Sequence, residues 1–152
     1  MMQQLTQQQW LPISLPEAWQ FFATPKNLNL ITPPEMSFVI KNNLPDEMYE
    51  GLLIHYTIRP FLNIPFNWLT EITHIRPQQY FIDEQRSGPY KLWHHEHHFK
   101  EENNGVLMTD VLYYDIGKSI AGRIAGSVYV HKQIKRIFAY RTKKLTEIFP
   151  DR

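Results

Sequence analysis

The sequence contains no cysteine. The chain therefore forms no disulfide, offers no thiolate to a metal ion and has no cysteine nucleophile. It also lacks any apolar run near the ~20 residues that a membrane-spanning helix needs. The first residues show no basic region followed by an apolar stretch, so we expect no signal peptide and no membrane insertion, and we predict a cytoplasmic protein.

An excess of charge of one sign is missing as well. The chain has 16 Lys and Arg against 15 Asp and Glu, for a net charge of +1 with neutral histidines. This balance gives no electrostatic reason to expect nucleic acid or an anionic membrane as a partner. What the chain does have is a hydrophobic fraction of 43% and an aromatic fraction of 14%. These values and its length predict one packed domain over residues 1–152.

The first third of the chain predicts one strand and two short helices. Residues 3–11 predict an opening strand, because the side chains of alternate residues share a face. One face carries Leu5, Gln7, Gln9 and Leu11. Ser14 followed by Glu17 is typical of a capping box, which predicts a helix over Leu15–Ala23. A second short helix is predicted over Asn27–Ile31, after Pro25 in its first turn.

Six further runs have strand character and are separated by short turns rich in Pro, Asn, Asp and Gly. They are Ser37–Lys41, Leu52–Arg59, Phe66–Ile75, Tyr80–Arg86, Lys91–Lys100 and Val106–Asp115. Because the gaps are short, neighbouring strands are expected to pair as antiparallel hairpins.

Residues 119–149 predict the longest element, an amphipathic helix. Its apolar stripe consists of Ile120, Ile124, Val128, His131, Ile134, Phe138, Leu145 and Ile148. Basic residues lie largely off the stripe; we interpret them as a solvated face rather than a nucleic-acid or calmodulin-like surface. This helix is the only element able to cover the sheet, so the predicted class is α+β.

The order of elements, together with the run Gly88–Phe99 (GPYKLWHHEHHF), resembles the START-related lipid-transfer and polyketide-cyclase superfamily, SRPBCC. The segments at 31–34, 68–72, 81–85 and 110–114 support the resemblance, which is strongest to small bacterial ligand-binding members. It implies a helix-grip fold, in which a curved antiparallel sheet of about seven strands surrounds a long C-terminal helix. A cavity is then expected between helix and sheet. Members of the superfamily include lipid carriers, hormone receptors and cyclases, so the fold alone does not determine the function.

The strand at 91–100 carries four histidines, and alternation assigns their faces. Trp93 and Phe99 share a face, and burying both large aromatics is most favourable, at roughly 2–3 kcal/mol each. This choice turns His95 and His97 inward. The outward set is His94, Glu96 and His98. A slip of one residue would exchange the two sets.

The partner of His97 depends on the turn that follows its strand. A tight turn at 103–104 pairs His97 with Asp110 of the next strand, whereas a register shifted by two residues pairs it with Leu112. Both registers remain open at the level of sequence.

The inward residues predict a pocket with apolar walls and a few polar groups, as ligand sites commonly have. The predicted lining is Trp68, Ile72, Phe81, Asp83, Trp93, His95, His97, Phe99, Met108, Asp110, Leu112 and Tyr114, with Val128 and His131 from the helix. We expect this pocket to bind a small hydrophobic or amphipathic molecule, without a cofactor and without transforming it.

Two other hypotheses, a metal site and a catalytic site, use the same residues. His95 and His97, on alternate positions of one strand, could share a metal ion with Asp110 as third ligand, although ordinary hydrogen bonding is the prediction. A cofactor-independent cyclase, dehydratase or hydrolase could use His95 or His97 as general acid or base, oriented by Asp110 or Asp83. The sequence shows no nucleophile motif and no phosphate-binding glycine loop.

A third hypothesis is that the chain is a protein-interaction module with a vestigial pocket. A pocket filled by its own side chains would favour that module, whereas an open pocket favours binding or catalysis.

Overall fold

A computed structural model describes residues 1–118 and 126–151. Its main element is a seven-stranded antiparallel sheet in the order β1-β7-β6-β5-β4-β3-β2. The strands are β1 (Gln3–Leu11), β2 (Val39–Ile40), β3 (Leu53–Phe61), β4 (Ile64–Arg76), β5 (Tyr80–Ser87), β6 (Leu92–Glu102) and β7 (Gly105–Asp115). Each strand predicted from the sequence is present. The strand predicted over Ser37–Lys41 has only two residues, because Ser37 adopts a left-handed conformation with φ of 50°.

The short helices begin within about two residues of their predicted starts, whereas the long helix predicted over 119–149 is not continuous, because Gly126 lies outside it with φ of 103°. In α1 (Leu15–Phe22), the Ser14 hydroxyl accepts a hydrogen bond of 3.3 Å from the backbone N–H of Glu17. The second short helix is a 3-10 helix, Pro25–Ile31, and another short 3-10 turn follows at Pro34–Met36. The long helix, α2, spans Ser127–Ile148. The predicted positions Ile120 and Ile124 lie outside the described residues.

The sheet curves around α2. The helix contacts both β1, at one edge of the sheet, and β3, next to the opposite edge, which a flat sheet of this width would not permit. Its buried face consists of Val130, Ile134, Phe138, Arg141 and Leu145. The predicted α+β helix-grip architecture is therefore confirmed.

One predicted member of the helix stripe is wrong. Val128 is 67% exposed. Val130 and Ile134 set the phase of the buried face, and a residue two positions earlier lies about 200° away around the helix axis. His131 is only half-buried, next to Val130.

The turn between β6 and β7 fixes the register on which the predicted site depends. Asn103 and Asn104 have φ of 52° and 59°, the two positive values of a type I′ hairpin turn. The turn pairs Glu102 with Gly105, and counting back along the strands pairs His97 with Asp110. Of the two registers that the sequence allows, the structure has the one that pairs His97 with Asp110 and not with Leu112.

The interior is divided between two hydrophobic clusters. In one, Trp19 and Phe22 of α1 pack on Phe99 of β6 with ring centroids 5.6 Å and 5.4 Å away. In the other, the first turns of α2 pack on the far ends of β6 and β7, for example Val130 and Ile134 with Leu112. Within residues 1–118 and 126–151, no helix has the length and continuous hydrophobicity of a bilayer-spanning segment.

Candidate functional site

A cavity of about 140 Å³ lies between α2, strands β3 to β6 and the 3-10 segments. Aromatic rings form much of its wall: Phe38, Tyr56, Trp68, Phe81, Tyr90 and Trp93. Aliphatic side chains supply most of the rest, among them Met36, Met48, Ile54, Ile58, Ile72 and Ile137. Polar groups are concentrated in Thr70, Asp83, His95, His97 and Arg141. Such a combination of apolar wall and few polar groups is typical of small-molecule sites.

The aromatic wall is held by ring-to-ring contacts. Trp68 meets Trp93 edge-on at 5.2 Å between centroids and lies 5.5 Å from Tyr90, which in turn lies 4.7 Å from Trp93. On its other side, Trp68 stacks with Tyr56 at 5.7 Å. These distances are within the range of favourable aromatic pairs, which stabilise the arrangement of the wall.

At the polar side of the cavity, two histidine rings lie between two aspartates. His95 and His97 alternate along β6 and their ring centroids are 3.8 Å apart. Asp83, opposite His95 on β5, places Oδ2 2.6 Å from His97 Nε2 and 3.8 Å from His95 Nδ1. Asp110, opposite His97 on β7, places Oδ1 2.9 Å from His95 Nε2 and 3.2 Å from His97 Nδ1. Each ring thus has one nitrogen toward each carboxylate.

Arg141 completes the cluster from the helix. Its Nη2 lies 3.6 Å from Asp110 Oδ1 and 3.4 Å from His97 Nδ1, and the residue is only 9% exposed. Arg141 was not among the predicted site residues, because the basic residues of the helix were expected on its solvated face. A signal was present: position 141 is three residues after Phe138 and four before Leu145, on the buried stripe.

The cluster contains four titrating groups, the carboxyl groups of Asp83 and Asp110 and the imidazole rings of His95 and His97. Burial would raise the pKa of Asp110, yet Arg141 and the histidines hold that pKa well below its usual value. Burial would raise the pKa of Asp83 too, and the hydrogen bond with His97 lowers it. Both carboxyl groups are therefore charged at neutral pH.

The two histidines differ although they are neighbours. Burial and the adjacent His97 lower the pKa of His95. Burial also acts to lower the pKa of His97, but its contacts with Asp110 and Asp83 raise it. His97 consequently holds a proton more readily than His95, which stays neutral and keeps an unprotonated nitrogen.

Two buried donors at the cavity lack a partner among the described residues. Trp68 Nε1 and Arg141 Nε are both shielded from solvent and neither makes a hydrogen bond there. An unsatisfied buried donor costs about 1–3 kcal/mol. An oxygen atom of a bound molecule, or an ordered water, would supply the missing acceptor.

The structure brings seven of the predicted residues to the cavity: Trp68, Ile72, Phe81, Asp83, Trp93, His95 and His97. Asp110 lies behind the histidine rings and is 1% exposed. It therefore contacts the rings and does not line the cavity. Tyr56, Thr70 and Tyr90, which the sequence analysis did not select, also line the cavity. Alternation on β3 and β4 would have found Tyr56 and Thr70, because they share a face with Ile58 and Trp68.

The other predicted residues lie away from the cavity. Phe99 packs under α1, Met108 belongs to the same cluster, and Leu112 lies in the second cluster under α2. Tyr114 also belongs to the second cluster, and its hydroxyl shares a hydrogen bond of 2.6 Å with His131 Nδ1. The sheet's inner face is longer than the cavity, so facing inward does not by itself place a residue in it.

The outward histidines form a separate polar cluster on the opposite face of the sheet. His94 lies 2.5 Å from Glu84 and 3.1 Å from Glu96, and His98 lies 2.8 Å from the other oxygen of Glu96. Burial would lower the pKa of His94, but the two glutamates raise it. The predicted outward direction of these residues is confirmed.

A group of three side chains offers ligand atoms suited to a metal ion. Atoms of Asp83, His95 and His97 all lie within 4.8 Å of one another. The same groups can exchange protons with a molecule in the cavity, since His97 shares a short hydrogen bond with Asp83 and His95 keeps a free nitrogen.

Comparison with known proteins identifies the fold. No family model matches the chain, and no curated protein matches its sequence. Among solved structures, the ginseng major latex-like protein 151 from Panax ginseng has a TM-score of 0.70 at 12% identity, covering 99% of each chain. Protein Ms6760 from Mycobacterium smegmatis has a TM-score of 0.68 at 15% identity, over 95% of this chain and 89% of that one.

A third solved structure, protein CV1439 from Chromobacterium violaceum, has a TM-score of 0.69 at 14% identity, over 97% of this chain and 99% of that one. Similarity over nearly the whole length confirms the helix-grip fold expected from the sequence. At these identities the similarity concerns the fold and leaves the function to be argued from the site.

Proposed function

We propose that the cavity binds a small organic molecule whose larger part is apolar and whose one polar end meets Asp83 and its neighbours. The observation that carries the proposal is the cavity with an aromatic wall and with Asp83, His95, His97 and Arg141 gathered on one side. Burying an apolar group there gains the usual ~25 cal/mol per Å², while the polar groups select its orientation.

The cavity volume limits the size of the ligand. About 140 Å³ is well below the roughly 300–1,000 Å³ of sites for drug-sized molecules. It is close to the roughly 150 Å³ of an engineered protein cavity that binds benzene. We therefore expect a single ring, or a short branched chain, rather than a long acyl chain.

The polar groups predict the chemistry of the ligand's polar end. Asp83 carries a charge and its side chain is 17% exposed, more than either histidine beside it. A hydroxyl or protonated amine can donate to this carboxylate, and a hydroxyl oxygen can also accept from one of the unpartnered donors, Trp68 Nε1 or Arg141 Nε. A phenol or a related cyclic alcohol fits these requirements.

The test is a titration of the protein with phenol, benzene and benzoate, followed through the fluorescence of the cavity tryptophans. We expect saturable binding with phenol tighter than benzene, and benzoate weakest because its charge meets Asp83. Ile137→Phe places a larger side chain in the cavity and should abolish the response. Ile82→Phe, on the outward face of β5, is the matched control and should leave it unchanged. Equal responses in both variants, or none in wild-type protein, would refute the proposal.

A second candidate function is acid–base catalysis on a molecule bound in the same cavity. The observation that favours it is the buried pair of His97 and Asp83 beside a neutral His95, which together offer a proton and a proton acceptor. Cyclisation, dehydration or hydrolysis would be within their reach. Recovery of the added molecule as an altered product, dependent on His95, would distinguish catalysis from binding.

A further inference from the structure

The cluster on β5 and β6 has the composition of a metal site, and its ligands converge from two adjacent strands. Two imidazole nitrogens and a carboxylate oxygen are donors that divalent zinc, iron, cobalt and nickel accept. We propose that Asp83, His95 and His97 bind one divalent transition-metal ion of this class, with zinc as the reference ion. The inference does not depend on the organic ligand proposed above, because it concerns the protein's own donor atoms.

The separations of the donor atoms suit a single ion after small side-chain rotations. Tetrahedral bonds of about 2.0–2.2 Å put neighbouring ligand atoms roughly 3.3–3.6 Å apart. Asp83 Oδ2 lies 2.6 Å from His97 Nε2 and 3.8 Å from His95 Nδ1, on either side of that value. Asp83 is the most exposed of the three and has room to adjust.

The surroundings resemble those that orient metal-binding histidines. A ligand histidine almost always donates its second ring N–H to a carboxylate or carbonyl, which directs the free nitrogen to the metal. His95 Nε2 makes this contact with Asp110 at 2.9 Å, and His97 Nδ1 lies 3.2 Å from the same oxygen. The site therefore has one carboxylate in front of the rings and one behind them. The sequence had suggested Asp110 as third ligand; the structure assigns that position to Asp83.

The charges also favour a cation. Two carboxylates, those of Asp83 and Asp110, face the histidine rings in a buried region, and the guanidinium of Arg141 lies beside Asp110 only. Buried charge of this kind is stabilised by pairing or by metal coordination. Three protein ligands leave a coordination position open, and the three residues line the cavity from which a further ligand would come.

The test uses tag-free, chelator-stripped protein titrated with Co²⁺ and followed by its visible absorption, with Zn²⁺ affinity measured by competition with a chromogenic chelator. We expect one ion per chain and the intense bands of four- or five-coordinate Co²⁺. Asp83→Asn keeps the shape of the side chain but removes the charged ligand, and should weaken binding by more than the roughly 10–100-fold typical of losing a supporting contact. His98→Gln and His94→Gln, on the outward face of the same strand, are matched controls.

Unchanged affinity in Asp83→Asn, or an affinity lost in the outward variants, would overturn the proposal. A second measurement needs no variant: ring ¹⁵N shifts of the wild-type histidines during Zn²⁺ addition. Shifts confined to His95 and His97 support the site. Shifts confined to His94 and His98, or no shifts at all, would place the ion elsewhere or exclude it.

Discussion

Arg141 is the residue on which the buried polar cluster most depends. It is the nearest cation to Asp110, which is 1% exposed and faces both histidine rings. A buried carboxylate that loses its cation must either stay charged at high cost or take up a proton and release the rings. Arg141 therefore links the helix to the chemistry of β5, β6 and β7.

Replacing Arg141 with Met should lower the free energy of unfolding by about 3 kcal/mol or more, because Asp110 is left as an uncompensated buried charge. Urea unfolding measures the change. Lys143→Met, an exposed position on the same helix, is the control and should change stability by less than about 0.5 kcal/mol. A loss in Arg141→Met as small as that of the control would show that the ion pair is not what holds Asp110.

His131 gives a prediction about pH. Burial, with a further effect of Lys135, lowers the pKa of His131, and the neutral ring can accept the hydroxyl hydrogen of Tyr114. Because the folded value is below the unfolded one, the stabilisation is complete above about pH 6.5 and is lost as the pH falls through the folded pKa.

The measurement is urea unfolding of wild type and His131→Gln between about pH 8 and about pH 5. Wild type should lose more stability than the variant on acidification, since other titrating groups are common to both proteins and cancel. Parallel pH profiles would contradict the assignment of a lowered pKa to His131.

At the level of elements, the β6–β7 hairpin shows how a local signal positions a distant site. The type I′ turn at Asn103 and Asn104 sets the pairing of His97 with Asp110 five residues away along the strand. Gly105 follows, where a Cβ atom would lie 2.4 Å from the carbonyl oxygen of Leu11. Turn chemistry and close packing thus act together on the register.

Asn104→Gly should preserve or raise stability, because glycine adopts positive φ without steric penalty. Asn104→Val should lower the free energy of unfolding by about 1 kcal/mol or more, since a β-branched residue resists the left-handed conformation. Thermal unfolding of the two variants measures the difference. The reverse order of stability would mean that this turn does not determine the pairing of β6 with β7.

Glutamine side chains of β1 form hydrogen bonds with α2. The Gln7 amide nitrogen donates to the Thr142 hydroxyl at 2.6 Å and to the Phe138 carbonyl at 3.3 Å. Gln9 makes the corresponding contacts one turn further along, with the carbonyl oxygen of Thr142 at 3.0 Å. These bonds fix where the helix lies across the sheet.

Gln7→Ala should reduce the free energy of unfolding by about 1–2 kcal/mol, the loss of two half-buried hydrogen bonds. Gln4→Ala, on the exposed face of the same strand, is its control. Hydrogen exchange of the α2 amides should also accelerate in Gln7→Ala. Unaltered exchange in α2 would indicate that the glutamines do not hold the helix.

The strands and the inward-facing residues could be predicted from the sequence, but which of those residues line the cavity could not. Alternation placed Trp93, His95 and His97 on the inner face, because the period of a strand is exact and two large aromatics had to be buried. It could not tell which inner residues meet the cavity and which meet α1, as for Phe99, since that depends on where the helices lie. Arg141 was missed for a related reason: its burial requires Asp110, a partner distant in sequence.

For the whole molecule, the arrangement of helix and sheet creates the functional possibilities. The sheet contacts α2 from both sides, α1 closes one end, and the cavity remains between the two clusters. Three solved structures share this fold at 12–15% identity, and the fold alone does not determine what the cavity does. The proposed function rests on the side chains that line it: the aromatic wall, the charged Asp83, and His95 and His97, which Asp110 contacts from behind.

The most direct test is a crystal structure of the protein soaked with phenol. We predict electron density for one ring between Trp68, Trp93 and Ile137, with its hydroxyl within hydrogen-bonding distance of Asp83. A ring bound only on the surface, or a cavity closed by its own side chains, would contradict the account.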